Sequence, residues 1–199
     1  MKYNPEKHHR RSIRLKGYDY SESGVYFVTI CTHNRECILG EIMNGEMYLN
    51  ENGRIVDIEW AKTNDKRDNV VLDTYVVMPN HFHGIVILID TCGGTARCAP
   101  TTKTCNGRNY RKFGKMISGT LPAIIRSFKS AVTKHINELR SEQGVPVWQR
   151  NYYEHIIKNE KELNQIREYI ISNQLEWELD KENPKNWGGK SIINKTILQ

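Results

Sequence analysis

At 199 residues, with 38% hydrophobic and 26% charged side chains, the chain is sized for one domain with a substantial core. No apolar run nears the ~20 residues of a bilayer span, and the opening MKYNPEKHHRRSIRLKG has no apolar secretory stretch, so no membrane and a cytoplasmic location are expected. The five cysteines include no C-x-x-C pair, which speaks against a disulfide framework or zinc ribbon, while a net charge of +6 is compatible with a polyanionic partner.

In chain order, a basic arm over 1–20 comes first, where Lys2, Lys7, Arg10, Arg11, Arg14 and Lys16 have a single acid, Glu6, among them. Val25 to Thr32 (VYFVTICT) is β-branched and aromatic and predicts a strand. Asn44-Gly45, between two short apolar segments of Ile38 to Leu49, signals a hairpin. Ile55 to Thr63 carries helical spacing after a loop Asn50-Glu51-Asn52-Gly53. Two strands follow, Val70 to Met78 and His81 to Ile89, turned by Pro79-Asn80. A loop insertion over 90–114 holds Cys92, Cys98 and Cys105 and a second basic cluster that includes Arg108, Arg111 and Lys112. Leu121 to Leu139 is an amphipathic helix, Val147 to Ile157 a strand, and Lys161 to Trp177 a helix striped with Leu163, Ile166, Ile170 and Trp177. The polar remainder, 178–199, reads as a loosely held tail. The order β, hairpin, α, β, β, α, β, α implies an α+β fold of the ferredoxin-like split βαβ kind, with a mostly antiparallel sheet and helices on one face.

Tyr75 to Leu88 (YVVMPNHFHGIVIL) poses the chemical question, because an apolar strand there carries two histidines one residue apart. Residues two apart on a strand share a face, so His81 and His83 aim the same way and form half of a metal shell. The alternative is one histidine satisfied in the core and the other exposed. Amidohydrolases also place His-x-His on a strand, but in a barrel of ~250 residues; cupins do so in all-β jelly rolls, which the helices here oppose. On the last helix, Tyr169 and Asn173 lie four apart, beside the apolar stripe at the edge of the core. Taken alone, that pair reads as a packing tyrosine and a helix-end residue.

The segment MPNHFHGIVIL resembles the His-hydrophobic-His motif of the HUH single-strand nucleases. VWQRNYYEHIIKNEKELNQIREYIISN resembles the C-terminal block of the single-tyrosine HUH transposases, especially the REP-associated tyrosine transposases, and RRSIRLKGYDYSESGVYFVTICT resembles the start of that domain. The likeness runs from Arg10 to Trp177, so 21–177 would be the catalytic domain. It implies that Tyr169 is the nucleophile and that His81, His83 and Asn173 hold Mg²⁺ or Mn²⁺. The family commonly has Pro after that Asn; Gln174 stands here, so the helix is expected to run on to Trp177, with His155 as the reserve third ligand.

The activity implied is cleavage and rejoining of single-stranded DNA beside a hairpin, a REP-like palindrome, through a 5′-phosphotyrosine, as in DNA transposition. Related transposases act as homodimers that exchange the tyrosine helix or as monomers, which leaves the oligomeric state open. Arg10, Arg11, Arg14, Lys16, Arg108, Arg111, Lys112 and Lys129 are the candidate DNA contacts, with Tyr18, Tyr20 and Tyr110 as stacking platforms. Two other readings stand beside this one. The first is a non-catalytic hairpin-binding descendant of such an enzyme. The second is a hydrolase using His81, His83 and His155 on water.

Overall fold

Side-chain alternation builds the central sheet of this protein, whose computed structural model describes residues 23–89, 119–180 and 182–188. In β1 (Gly24–Cys31), Tyr26, Val28 and Ile30 are buried on one face and Phe27 on the other. β2 (Gly40–Met43) and β3 (Glu46–Leu49) form a separate hairpin whose turn residues, Asn44 and Gly45, both take positive φ (54° and 79°). Helix α1 (Glu51–Asp65) leads to β4 (Val70–Met78) and β5 (His81–Leu88), with Met78 paired to His81 across the two-residue turn Pro79-Asn80. Helix α2 (Leu121–Leu139), β6 (Tyr153–Ile157) and helix α3 (Glu160–Ser172) follow.

The main sheet has the order β4-β5-β1-β6 with every neighbour antiparallel. Two interleaved units, β1-α1-β4 and β5-α2-β6, therefore make the expected split βαβ α+β fold. Helices α1 and α2 lie together on one face, where Trp60 packs 4.5 Å from Phe82 and 5.0 Å from Phe128, ring centre to ring centre. A Cβ on Gly84 would come within 2.8 Å of the Trp60 and Phe82 rings, so the strand needs glycine there for the indole to sit on it. Gathering all helices on one face holds for these two alone. Helix α3 covers the opposite face, because Phe27, Val76, Ile85 and Ile157 make that face apolar as well and Leu163, Ile166 and Ile170 bury it.

Three boundaries differ from expectation, each for a tertiary reason. Asn50 to Gly53 is not a loop: the Asn50 side chain accepts from the Gly53 N–H at 3.0 Å and caps α1, and Gly53 fits closely against the Leu39 carbonyl. The strand expected from Val147 is only Tyr153–Ile157, because the Lys129 ammonium gathers the carbonyls of Gln149, Arg150 and Asn151 at 2.6, 3.3 and 3.3 Å and turns the chain. Helix α3 stops at Ser172 rather than Trp177. Past it, the Gln174 side chain accepts from the Met47 N–H at 3.2 Å and Trp177 turns in to bury its indole near His81.

The segment read as a loose tail is packed in its described part: Glu182 and Asn183 are buried, and the Asn183 amide donates to the Trp177 carbonyl at 3.0 Å. Among the described residues no helix is long and apolar enough to cross a membrane. The arm over 1–20 and the insertion over 90–114 lie outside the described residues.

Candidate active site

His81 and His83 sit on the α3 face of β5 and are 0% and 3% exposed, with ring centres 4.6 Å apart. Asn80 settles the state of the first ring. Its Nδ2 donates to the carbonyls of Arg35 (3.0 Å) and Glu182 (2.6 Å), which only an amino group can do, so its Oδ1 faces His81 Nδ1 at 2.9 Å. Nδ1 therefore donates its proton to that oxygen. The Thr29 hydroxyl lies 2.8 Å from His83 Nδ1, directly across the strand pair, and Phe27 stacks on that ring at 5.3 Å and 25°. Both imidazoles thus have Nδ1 engaged.

Helix α3 is clamped at its N-terminus and again at Arg167, in its middle. Asn159 caps it by accepting from the Glu162 N–H at 2.9 Å, and Glu162 accepts from the Lys158 N–H and pairs with His155 Nε2, both at 2.7 Å. The Lys158 N–H first, then His155, hold the Glu162 carboxyl below its ordinary range. Arg167 meets both oxygens of Asp73 on β4 at 3.0 and 2.6 Å, and this pairing holds the Asp73 carboxyl down to about 2. Helix rotation is set by these contacts, and the Tyr169 hydroxyl consequently lies 3.3 Å from His83 Nε2. Burial first, then the Asp180 charge, push that phenol up to about 12, while a hydrogen bond from the Asn173 side chain pulls it back.

Asn173 is 4% exposed, and its Oδ1 is buried with no hydrogen-bond partner among the described residues. An orphaned buried oxygen of this kind calls for a ligand. Asp180, on the turn after α3, places Oδ2 at 3.9 Å from His81 Nε2. Among the described residues no three His, Cys, Asp or Glu side chains converge as a metal cluster, so an ion here must draw on the amide oxygen of Asn173. Two Nδ1-anchored imidazoles and an unsatisfied amide oxygen are a donor set that fits Mn²⁺ or Mg²⁺.

No family model matches the chain. An uncharacterized protein of Haemophilus influenzae (strain ATCC 51907 / DSM 11121 / KW20 / Rd) is 43% identical over 179 residues, 90% of this chain and 96% of that protein. The chain belongs to that protein's family. Among solved structures it is similar to a REP-associated tyrosine transposase bound to a REP hairpin, with a TM-score of 0.50 and 17% identity, covering 84% of this chain and 74% of that one. At that identity the likeness shows a shared fold: this family member has the transposase fold.

Of the residues singled out from sequence, the structure brings His81, His83, Tyr169 and Asn173 together. It directs the other two described candidates elsewhere. His155 is bound to Glu162, and Lys129 spends its ammonium on three carbonyls while burial pushes it down to about 8. Arg10, Arg11, Arg14, Lys16, Arg108, Arg111 and Lys112 lie outside the described residues. Sequence reasoning missed Thr29, Asn80 and Asp180. Asn80 had a signal in its place directly before the histidines; Asp180 had none.

Proposed function

We propose that the chain is a metal-dependent single-stranded DNA endonuclease and strand transferase, acting beside hairpins through a 5′-phosphotyrosine on Tyr169. One observation carries this reading: the Tyr169 hydroxyl on α3 stands 3.3 Å from His83 Nε2 with Asn173 beside it. His81, His83 and Asn173 would hold Mg²⁺ or Mn²⁺, which supplies Lewis-acid polarisation of a phosphodiester.

The chain's own residues do the rest. The phenol, pushed up to about 12, is protonated at neutral pH, so His83 accepting from the hydroxyl and the Asn173 amide donating to its oxygen orient it for in-line attack. The Tyr169 oxygen bonds to phosphorus as the P–O3′ bond breaks. The phenol gives up its proton and the departing 3′-oxygen gains one. An ester replaces an ester, so a 3′-hydroxyl can reverse the step and rejoin strands without ATP.

The transposase of like fold is bound to a REP hairpin, which supports hairpin DNA as the substrate here, and the net charge of +6 suits such a partner. Labelled single-stranded hairpins with Mn²⁺ provide the test on a denaturing gel. A metal-dependent covalent adduct, absent in Tyr169→Phe, is expected. Hairpin binding without any adduct would instead identify a non-catalytic binder, and free cleavage products surviving in Tyr169→Phe would point to a water nucleophile.

A further inference from the structure

We infer that Tyr153 is a stacking platform for an unpaired base beside the scissile phosphate, a contact on the edge strand that adds to the site itself. The inference rests on the single-stranded DNA reading above and names a residue that positions that substrate. Its first support is place. His83, Thr29 and Tyr153 stand in one row across β5, β1 and β6, on the α3 face of the sheet. Strand β6 is the edge of that sheet, so Tyr153 sits at the rim of the surface whose interior holds His83 and the Tyr169 hydroxyl. Phe27 joins these rings. Its centre lies 5.3 Å from that of His83, 6.1 Å from Tyr169 and 6.4 Å from Tyr153. A base laid on Tyr153 therefore belongs to a nucleotide flanking the phosphate that Tyr169 attacks.

The second support is an open ring. Tyr153 is 41% exposed and meets Phe27 at 68°, and no ring among the described residues lies stacked on it. Two other described tyrosines are exposed, Tyr48 and Tyr75, but their hydroxyls donate to Glu46 at 3.5 Å and to Asp57 at 2.7 Å. Those carboxylates repel a phosphate backbone. Among the described residues no carboxylate pairs with the Tyr153 hydroxyl. Partial burial pushes its phenol up, so the ring is uncharged at neutral pH. A neutral aromatic face accepts an unpaired base of any kind, because every base has a π-face.

The test uses the full chain and a DNA hairpin whose single-stranded flank carries 2-aminopurine at successive positions, a probe whose fluorescence is quenched on stacking. A blunt hairpin is the control, and Mn²⁺ is withheld so that binding is read without cleavage. The wild type is expected to quench the probe at one flank position, and Tyr153→Phe to do the same. Tyr153→Ala is expected to lose the quench and to bind the flanked hairpin about tenfold more weakly, while binding the blunt hairpin like the wild type. Thermal melting of each variant separates a lost contact from lost folding. Unchanged quench and affinity in Tyr153→Ala, with Mn²⁺ still yielding a Tyr169 adduct, overturns the platform and leaves the nuclease reading in place. Equal weakening toward both hairpins makes the residue structural and overturns the platform as well. A wild type that binds neither hairpin overturns the nuclease reading and this inference with it.

Discussion

The two faces of the sheet are laid on the same strands and do opposite work. Against α1 and α2, β5 contributes Phe82, Gly84 and Val86, and the contacts are aromatic and aliphatic throughout. Against α3, the alternate residues of the same strand are His81, His83 and Ile85, so an apolar patch at one end gives way to imidazoles, a phenol, an amide and a carboxylate at the other. The apolar end fixes the helix and the polar end exploits that fixity. A buried polar cluster on one face is tolerable because the other face supplies the stability.

That division can be broken or sharpened by substitution. Tyr169→Phe should remove all covalent adduct while changing unfolding free energy by less than about 1 kcal/mol, since only one hydroxyl is lost; a gel assay paired with urea denaturation reads both. Trp60→Ala on the sealed face should do the reverse, costing about 3–5 kcal/mol of stability with no residue of the site touched. Equal stability losses for the two variants would deny the division.

Asp73 tests the clamp on α3 through pH. Its folded carboxyl is held down to about 2 from an ordinary 3.8, chiefly by Arg167, so its contribution is present above pH 3.8 and is lost as pH falls through about 2. Asp73→Asn should therefore cost on the order of 2 kcal/mol at neutral pH. Denaturation curves of the two proteins should converge near pH 2. The smallest effect is expected at His155→Ala, which breaks a partly exposed pair with Glu162 worth about 0.2–1 kcal/mol and should leave adduct formation intact. Loss of adduct there would return His155 to the site.

Sequence made the elements of the sheet legible wherever a single period governed a segment. Leu121–Leu139 matched the expected helix to the residue because its buried stripe is uninterrupted, and the turn at Pro79-Asn80 left the histidine pair in register. What stayed hidden was set by contacts distant in sequence. The end of α3 depends on Gln174 reaching Met47 and on Trp177 tucking near His81. The curtailed strand before Tyr153 depends on Lys129, whose partners lie about twenty residues away. Asp180 lies in a polar stretch with no periodicity, and only the Asn80 bridge reveals why that stretch is held against the site. The histidine spacing and the tyrosine-asparagine spacing were both readable. Their convergence across α3 and β5 was not readable from either spacing alone.

The most direct measurement is peptide mapping by mass spectrometry of the protein after reaction with a single-stranded hairpin and Mn²⁺. A nucleotide mass attached at Tyr169, through a 5′-phosphate, is the predicted result. A modification at any other side chain, or cleaved DNA with an unmodified Tyr169 peptide, would contradict the tyrosine mechanism.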